Sequence, residues 1–379
     1  MSRTLIHSAR RFDAPDRDDA WVLFDGDVIA ASGTGTPPAA DAAVDARGDI
    51  LAPGFIDIHV HGGGGVAFDD GADAISTALA VHRGHGTTRS VISLVTADID
   101  VLTARLRIVV DAAARDPLIV GAHLEGPFLA AGHKGAHDAA LLRPPASDAL
   151  DRLLDAGAGS IVQVTLAPEL PGAGDAIARL TAAGIVVAVG HTDADYATVR
   201  AAFDRGARIL THAFNGMEDI AHRAPGPVAA ALDDDRVVLE LICDGAHVHP
   251  AVSRVAFAGA SGRIALITDA MAAAGVGDGD YVLGALPVEV RDGVARLAGG
   301  GSIAGSTLTL DAALRHVVNE VGIPLPDAVR ALTEVPARAI GRENDLGRLE
   351  PGYAADAVLL SDALTVRAVW AAGISQVER

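Results

Sequence analysis

Two histidines stand two residues apart at the end of an apolar run, in GFIDIHVHGGGG at residues 54–65. Alternate residues of a strand share one face, so His59 and His61 project side by side, and the glycines leave open space ahead of them. Two parallel imidazoles facing a cavity suit a divalent cation. A pair of half-buried histidines hydrogen-bonded to loops is the competing reading. Further along, single polar residues close other apolar runs: Glu125 in HLEGPF, His191 in VGHT, His212 in THAFNGM, His247 in DGAH and Asp269 in ITDAM. Each alone could be a satisfied core or loop residue. His59, His61, Glu125, His191, His212 and Asp269 together make a nitrogen and oxygen donor set for one or two divalent metal ions. Zinc heads the candidates, and iron, manganese or cobalt suits the same ligand types. Such a centre generates hydroxide at neutral pH and polarises a carbonyl. Asp269 is also the natural catalytic acid/base, able to take a proton from water and pass it to a leaving group. The implied chemistry is hydrolysis of an amide, cyclic amide or amidine.

These residues need a frame that gathers them. From residue 54 the chain alternates β-branched runs with Ala/Leu/Arg-rich stretches of helical spacing. The strand-like runs are GFIDIHVH, TTRSVISLVT, LIVGAHLEG, SIVQVTLAP, IVVAVGHT, RILTHAFN, VVLELICDGAH and RIALITDAM. Eight βα units in order predict an α/β fold, a (β/α)8 TIM-like barrel, and the polar residues fall at strand C-termini, where such barrels carry their sites. A doubly wound open sheet is the alternative, but no early Gly-x-Gly-x-x-Gly turn supports it. Both ends of the chain carry short strand signals and little helix, which predicts a small β-sandwich domain formed by both termini. The expected boundaries are 1–52 plus 345–379 for that domain and 53–344 for the barrel, with 281–301 as an inserted hairpin turning at Asp292–Gly293.

Composition narrows the function further. The chain has 379 residues and a net charge of −19, with 49 acidic residues against 30 basic, so nucleic acid is an unlikely partner. Cys243 is the single cysteine, which excludes an intrachain disulfide and a cysteine-cluster metal site. The first residues lack the apolar stretch of a signal peptide, and no run is long enough to span a bilayer. A cytoplasmic protein with no membrane partner is expected.

The strings PGFIDIHVHG, HLEGPF, KGAH, GHT, THAFNGM, DGAHV, TDAMAAAG and GGGSIAGSTLTLDAAL resemble the amidohydrolase superfamily. Within it they are similar to the N-acetylglucosamine-6-phosphate deacetylases, from LAPGFID through LGRLEPGYAADAVLLS. The resemblance implies a metal-dependent deacetylase that converts N-acetyl-D-glucosamine 6-phosphate to D-glucosamine 6-phosphate and acetate. It implies that Glu125, His191 and His212 hold the ion the family always keeps, with His59 and His61 available to a second. It gives Asp269 the acid/base role and His137, in KGAH, a part in polarising the acetyl carbonyl. Ala136, His137, Asn215, Gly216, His247, Ile303, Ala304 and Gly305 become substrate-binding positions, and Arg223 with His247 the phosphate pair, an arginine fork being suited to phosphate. A homodimer is implied too, because part of the family's phosphate site comes from a neighbouring subunit. Relatives such as dihydroorotases bridge two metals with a carboxylated lysine on strand four. Lys134 is the only lysine here and lies after strand three, so a carboxylate must serve. The sequence departs from the family's usual pattern at Ala213 and Gly216, both near the sugar. The 4-epimer, N-acetylgalactosamine 6-phosphate, is the second substrate reading, another amidohydrolase activity the third, and a sugar-phosphate sensor on a retired barrel the non-enzymatic one.

Overall fold

The computed structural model describes residues 3–378. Its centre is a parallel sheet of eight strands: β1 (Phe55–Val60), β2 (Thr87–Val95), β3 (Ile119–Glu125), β4 (Ile161–Leu166), β5 (Val186–Val189), β6 (Ile209–Leu210), β7 (Val238–Ile242) and β8 (Ile264–Ile267), paired in sequence order. The first and last strands close on one another through Asp269 N–H to His59 O at 2.9 Å and His61 N–H to Ala270 O at 2.8 Å. The result is the (β/α)8 barrel that the alternating pattern predicts.

Helices α1 (Ala72–Gly84), α2 (Ile99–Ala113), α3 (Ser147–Gly157), α4 (Ala173–Ala182), α5 (Tyr196–Asp204), α6 (Gly226–Leu232), α7 (Pro250–Gly259) and α8 (Leu310–His316) follow the strands. Their apolar faces meet the outward residues of the barrel in a core that includes Leu79, Leu102, Leu106, Leu153, Ile177 and Phe203. Small side chains let helices and sheet approach closely, consistent with an aromatic content of 3%.

The barrel interior departs from the aliphatic layers usual in this fold. Asp57, His59, Ser93, His123, Gln163, Thr165 and Glu240 are wholly buried. They partner one another: Thr268 Oγ1 donates to Asp57 at 2.6 Å, and His123 spans Ser93 at 2.9 Å and Thr165 at 2.8 Å. A buried polar group without a partner is costly, so these bonds tie neighbouring strands together inside the barrel, and Gln163 on β4 reaches across to Glu240 on β7 at 2.8 Å.

Strands from both ends of the chain form a second sheet. Its order runs 374–378, 366–371, 357–360, 50–53, 3–11, 20–25 and 28–34, with 42–45 also paired to 3–11. The strand Arg3–Arg11 pairs with 42–45 before the left-handed Ser8 and with 50–51 after it, passing from one half to the other. Both halves bury Ile6, Val22, Phe24, Leu51, Leu359 and Trp370 against one another.

The segment expected to be a hairpin has three antiparallel strands, Gly279–Leu283, Leu286–Arg291 and Val294–Leu297. Asp292 (φ 51°) and Gly293 (φ 75°) make the expected turn, with the two positive φ values that a tight hairpin needs. The additional strand precedes it and turns at Gly284, bringing Leu283 over the barrel mouth. Among the described residues no helix is long and apolar enough to cross a membrane.

Candidate active site

Glu125, the last residue of β3, is the hub. Its Oε1 lies 3.1 Å from His191 Nε2 and 3.1 Å from His212 Nε2, and those two nitrogens are 3.0 Å apart. On its other side, Oε2 is 3.1 Å from His61 Nε2, which stands 3.1 Å from His59 Nε2 and 3.3 Å from Asp269 Oδ1. Two donor clusters therefore share one carboxylate: Glu125 with His191 and His212, and Glu125 with His59, His61 and Asp269.

The outward-facing ring nitrogens say why the clusters suit a cation. His191 Nδ1 is 2.8 Å from His133 O, and His212 Nδ1 is 3.0 Å from Asn215 O. A carbonyl only accepts, so each Nδ1 carries a hydrogen and each ring turns its Nε2 inward, toward Glu125. His59 Nδ1 likewise meets Glu240 Oε2 at 3.0 Å. Ring nitrogens and carboxylate oxygens thus converge on shared points, where a positive charge, carried by protons or by a metal ion, relieves their repulsion. Buried imidazoles with their second nitrogen fixed by an acceptor are the usual metal-holding arrangement.

Electrostatics agree. Burial opposes charge on His59, but the carboxylates of Glu125, Asp269 and Glu240 outweigh it and push the imidazole well above its ordinary value. His61 rises to about 9 against the same burial, held by Asp269 and Glu125. Burial would raise Glu125, yet the surrounding histidines pull it well below the usual carboxylate range. His137 goes the other way, pushed down to about 4 chiefly by burial. Its Nδ1 is 2.8 Å from Thr96 Oγ1, and its Nε2 lies 3.6 Å from Glu125 Oε2.

Backbone strain gathers at the same places. His191 (φ 48°), His212 (φ 28°) and Asp269 (φ 48°) all adopt left-handed backbones. Each costs about 1–3 kcal/mol and persists only where the surroundings enforce it. The sharp turn after each strand is what aims these side chains into the barrel mouth.

Above the donors opens a cavity of about 380 Å³. Its walls include Glu125, His137, His191, His212 and Asp269, with Ala136, Asn215, Gly216, His247, Ile303 and Gly305 around them. Two expected positions fall elsewhere. Ala304 is wholly buried, its N–H bonded to Ala295 O, while its neighbours Ile303 and Gly305 face the cavity. Arg223 is exposed on the loop before α6 and lines a separate surface hollow with Tyr196 and Asp219. Sequence reasoning missed His133, Phe214, Leu283 and Ser302 on the wall, and Thr96, Gln163 and Glu240 behind the donors. Glu240 had a readable signal, as the one charge inside the apolar run VVLELIC.

A parallel barrel with buried histidines and carboxylates sharing one glutamate at its strand ends defines a metal-dependent amidohydrolase. Residues 50–374 match the amidohydrolase family, and the chain belongs to it. More particularly, it is 39% identical over 360 residues to N-acetylgalactosamine-6-phosphate deacetylase of Escherichia coli O157:H7, covering 94% of each chain. It is also 39% identical over 331 residues to N-acetylglucosamine-6-phosphate deacetylase of Vibrio furnissii, covering 85% of this chain and 82% of that one. A mutant of N-acetyl-D-glucosamine-6-phosphate deacetylase from Mycobacterium smegmatis, solved in complex with N-acetyl-D-glucosamine-6-phosphate, matches with a TM-score of 0.92 at 42% identity over 99% of both chains.

Proposed function

We propose that this protein hydrolyses the acetamide bond of N-acetyl-D-glucosamine 6-phosphate, releasing D-glucosamine 6-phosphate and acetate. The observation that carries the reading is the shared-carboxylate donor set at the floor of a cavity large enough for a sugar phosphate. Glu125, His191 and His212 would hold one divalent ion, zinc before iron, manganese or cobalt, and His59 and His61 a second. When bound, the metal supplies a Lewis acid for the acyl oxygen and lowers the pKa of water.

The chain's own groups do the rest. Asp269 accepts a proton from the attacking water and returns it to the departing nitrogen as the C–N bond breaks. His137, held at Nδ1 by Thr96 Oγ1 at 2.8 Å, turns Nε2 toward the cavity, and in the tautomer with its hydrogen on Nε2 it donates to the acyl oxygen; burial keeps the ring neutral for this. Ala136, Asn215, Gly216, Ile303 and Gly305 bound the sugar. His247 is anchored at Nδ1 by Asp244 Oδ2 at 2.7 Å and contacts the phosphate together with Arg223. Since Arg223 stands outside its own chain's cavity, we assign it to the neighbouring subunit of a cytoplasmic homodimer.

The 4-epimer, N-acetylgalactosamine 6-phosphate, is the second reading, favoured by the E. coli relative. The test is acetate release from both sugar phosphates and from unphosphorylated N-acetylglucosamine, with metal content measured on the same preparation. The proposal expects turnover of N-acetylglucosamine 6-phosphate at least tenfold above the others and its loss on chelation. Faster turnover of the epimer would replace the substrate, and a metal-replete protein inert toward all three would end the deacetylase reading.

A further inference from the structure

Glu240 lies in the middle of β7, wholly buried, and is not one of the groups that face the cavity. Its Oε2 accepts from His59 Nδ1 at 3.0 Å and from the backbone N–H of His212 at 3.3 Å. Its Oε1 accepts from Gln163 Nε2 at 2.8 Å. One carboxylate therefore grips a histidine of each donor cluster, from behind. We propose that Glu240 is a positioning residue that sets the cation affinity of the His59/His61 cluster.

Two physical reasons support this. Accepting from Nδ1 fixes His59 as the tautomer whose Nε2 lone pair faces His61, and a carboxylate partner makes that lone pair more basic. His61 has no equivalent support: its Nδ1 is buried without a hydrogen-bond partner among the described residues. The orientation of the pair thus depends on His59, and His59 depends on Glu240. Charge is the second reason. Glu125, Asp269 and Glu240 bring three buried carboxylates together at the base of the cavity, and a single divalent cation would leave that base negative. A buried unmatched charge is expensive, so Glu240 draws a further positive charge to the histidines beside it.

Gln163 makes the test clean. Its Oε1 has no partner among the described residues, so its amide can turn over without losing a bond. In Glu240→Gln the new amide oxygen can still accept from His59, while its NH2 donates to the turned Gln163. Shape and hydrogen bonds are retained and only the charge is removed. Metal-free full-length protein would be titrated with Zn2+ by calorimetry and with Co2+ by visible absorption. His61→Ala identifies which binding class belongs to the His59/His61 cluster.

The expected result is that Glu240→Gln weakens the class lost in His61→Ala by about 10–100-fold, the range for such outer partners. The class held by Glu125, His191 and His212 should keep its affinity within a few-fold and its Co2+ spectrum. Unchanged metal number and affinity in Glu240→Gln would overturn the proposal, and so would equal weakening of both classes. Should Glu240→Gln fail to fold, Glu240→Asp keeps the charge but withdraws it from His59, and the same class should weaken. The inference rests on the metal-dependent reading of the site but needs no substrate. Failure to turn over any sugar phosphate would leave it standing.

Discussion

At the residue scale, the site is a contest between burial and attraction. Glu125 and His59 are both buried, and each alone would shed its charge. Placed together they hold one another charged, and a cation can replace the protons that do the same work. The pH dependence follows. In the metal-free protein His61 is raised from 6.5 to about 9. Its stabilising contribution is therefore complete below about pH 6.5 and is lost as pH rises through about 9. A metal ion displaces that proton, so metal binding strengthens over the same interval. Melting temperatures of chelated and zinc-loaded protein should diverge between about pH 6.5 and 9, the chelated form falling. A constant gap across that range would contradict the linkage. His59 and His61 were legible because a strand's period puts alternate residues on one face. Glu240 was passed over because a lone acid in an apolar run declares only that it is buried, not what it faces.

At the element scale, the strand ends do the positioning. The polar residues at the ends of β1, β3, β5, β6 and β8 come from runs that the apolar pattern had already marked. The left-handed turns at His191, His212 and Asp269 were not marked, since these residue types do not demand positive φ. The three-stranded insert was half legible: Asp292–Gly293 announces a turn, whereas the strand at 279–283 alternates too weakly to declare itself. Helix α8 offers a test away from the site. Asp311, in its first turn, accepts from Thr309 Oγ1 at 2.6 Å and the Ala312 N–H at 2.9 Å, and meets His85 at 3.0 Å and Arg315 at 2.9 Å. Burial opposes its charge, but His85, Thr309 and Arg315 hold its pKa down to about 2. A depressed carboxylate stabilises the fold above its unfolded value of 3.8, and that contribution fades as pH falls toward about 2. Asp311→Ala should cost about 1–3 kcal/mol at neutral pH, read from urea unfolding, with the deficit shrinking below about pH 4.

At the scale of the whole molecule, the terminal sheet is clamped to the barrel. Arg89, on β2, donates to Asp356 through Nε at 2.6 Å and Nη2 at 3.0 Å, and to Pro117 O at 2.8 Å. Asp356 also accepts the Ala372 N–H at 2.7 Å. Both ionic side chains are buried, so removing one strands the other. Asp356→Ala should lower stability by about 3–5 kcal/mol, and a loss under about 1 kcal/mol in denaturant titration would show that the clamp is solvated. Arg223 raises a question of subunits. If it serves the neighbouring site, mixed dimers of Arg223→Ala and Asp269→Asn contain one site with both groups intact. Activity should then reappear on co-refolding two variants that are each nearly inactive. If Arg223 served its own chain, no mixed site would be whole and the mixture would stay inactive.

By itself the sequence determined the eight-unit barrel and the family, and it marked the polar residues that meet at the barrel mouth. The barrel and its polar residues are written in local spacing, period two in strands, helical repeats between them and a polar residue where each strand stops; the family is written in motifs that resemble known ones. Only the tertiary structure decided that Glu125 is shared between two clusters, that Glu240 bonds a histidine of each from behind, and that Arg223 stands outside its own chain's cavity. Those facts depend on distances between residues far apart in the chain. Such distances arise from barrel closure and from the turns that end each strand, and no single segment contains them.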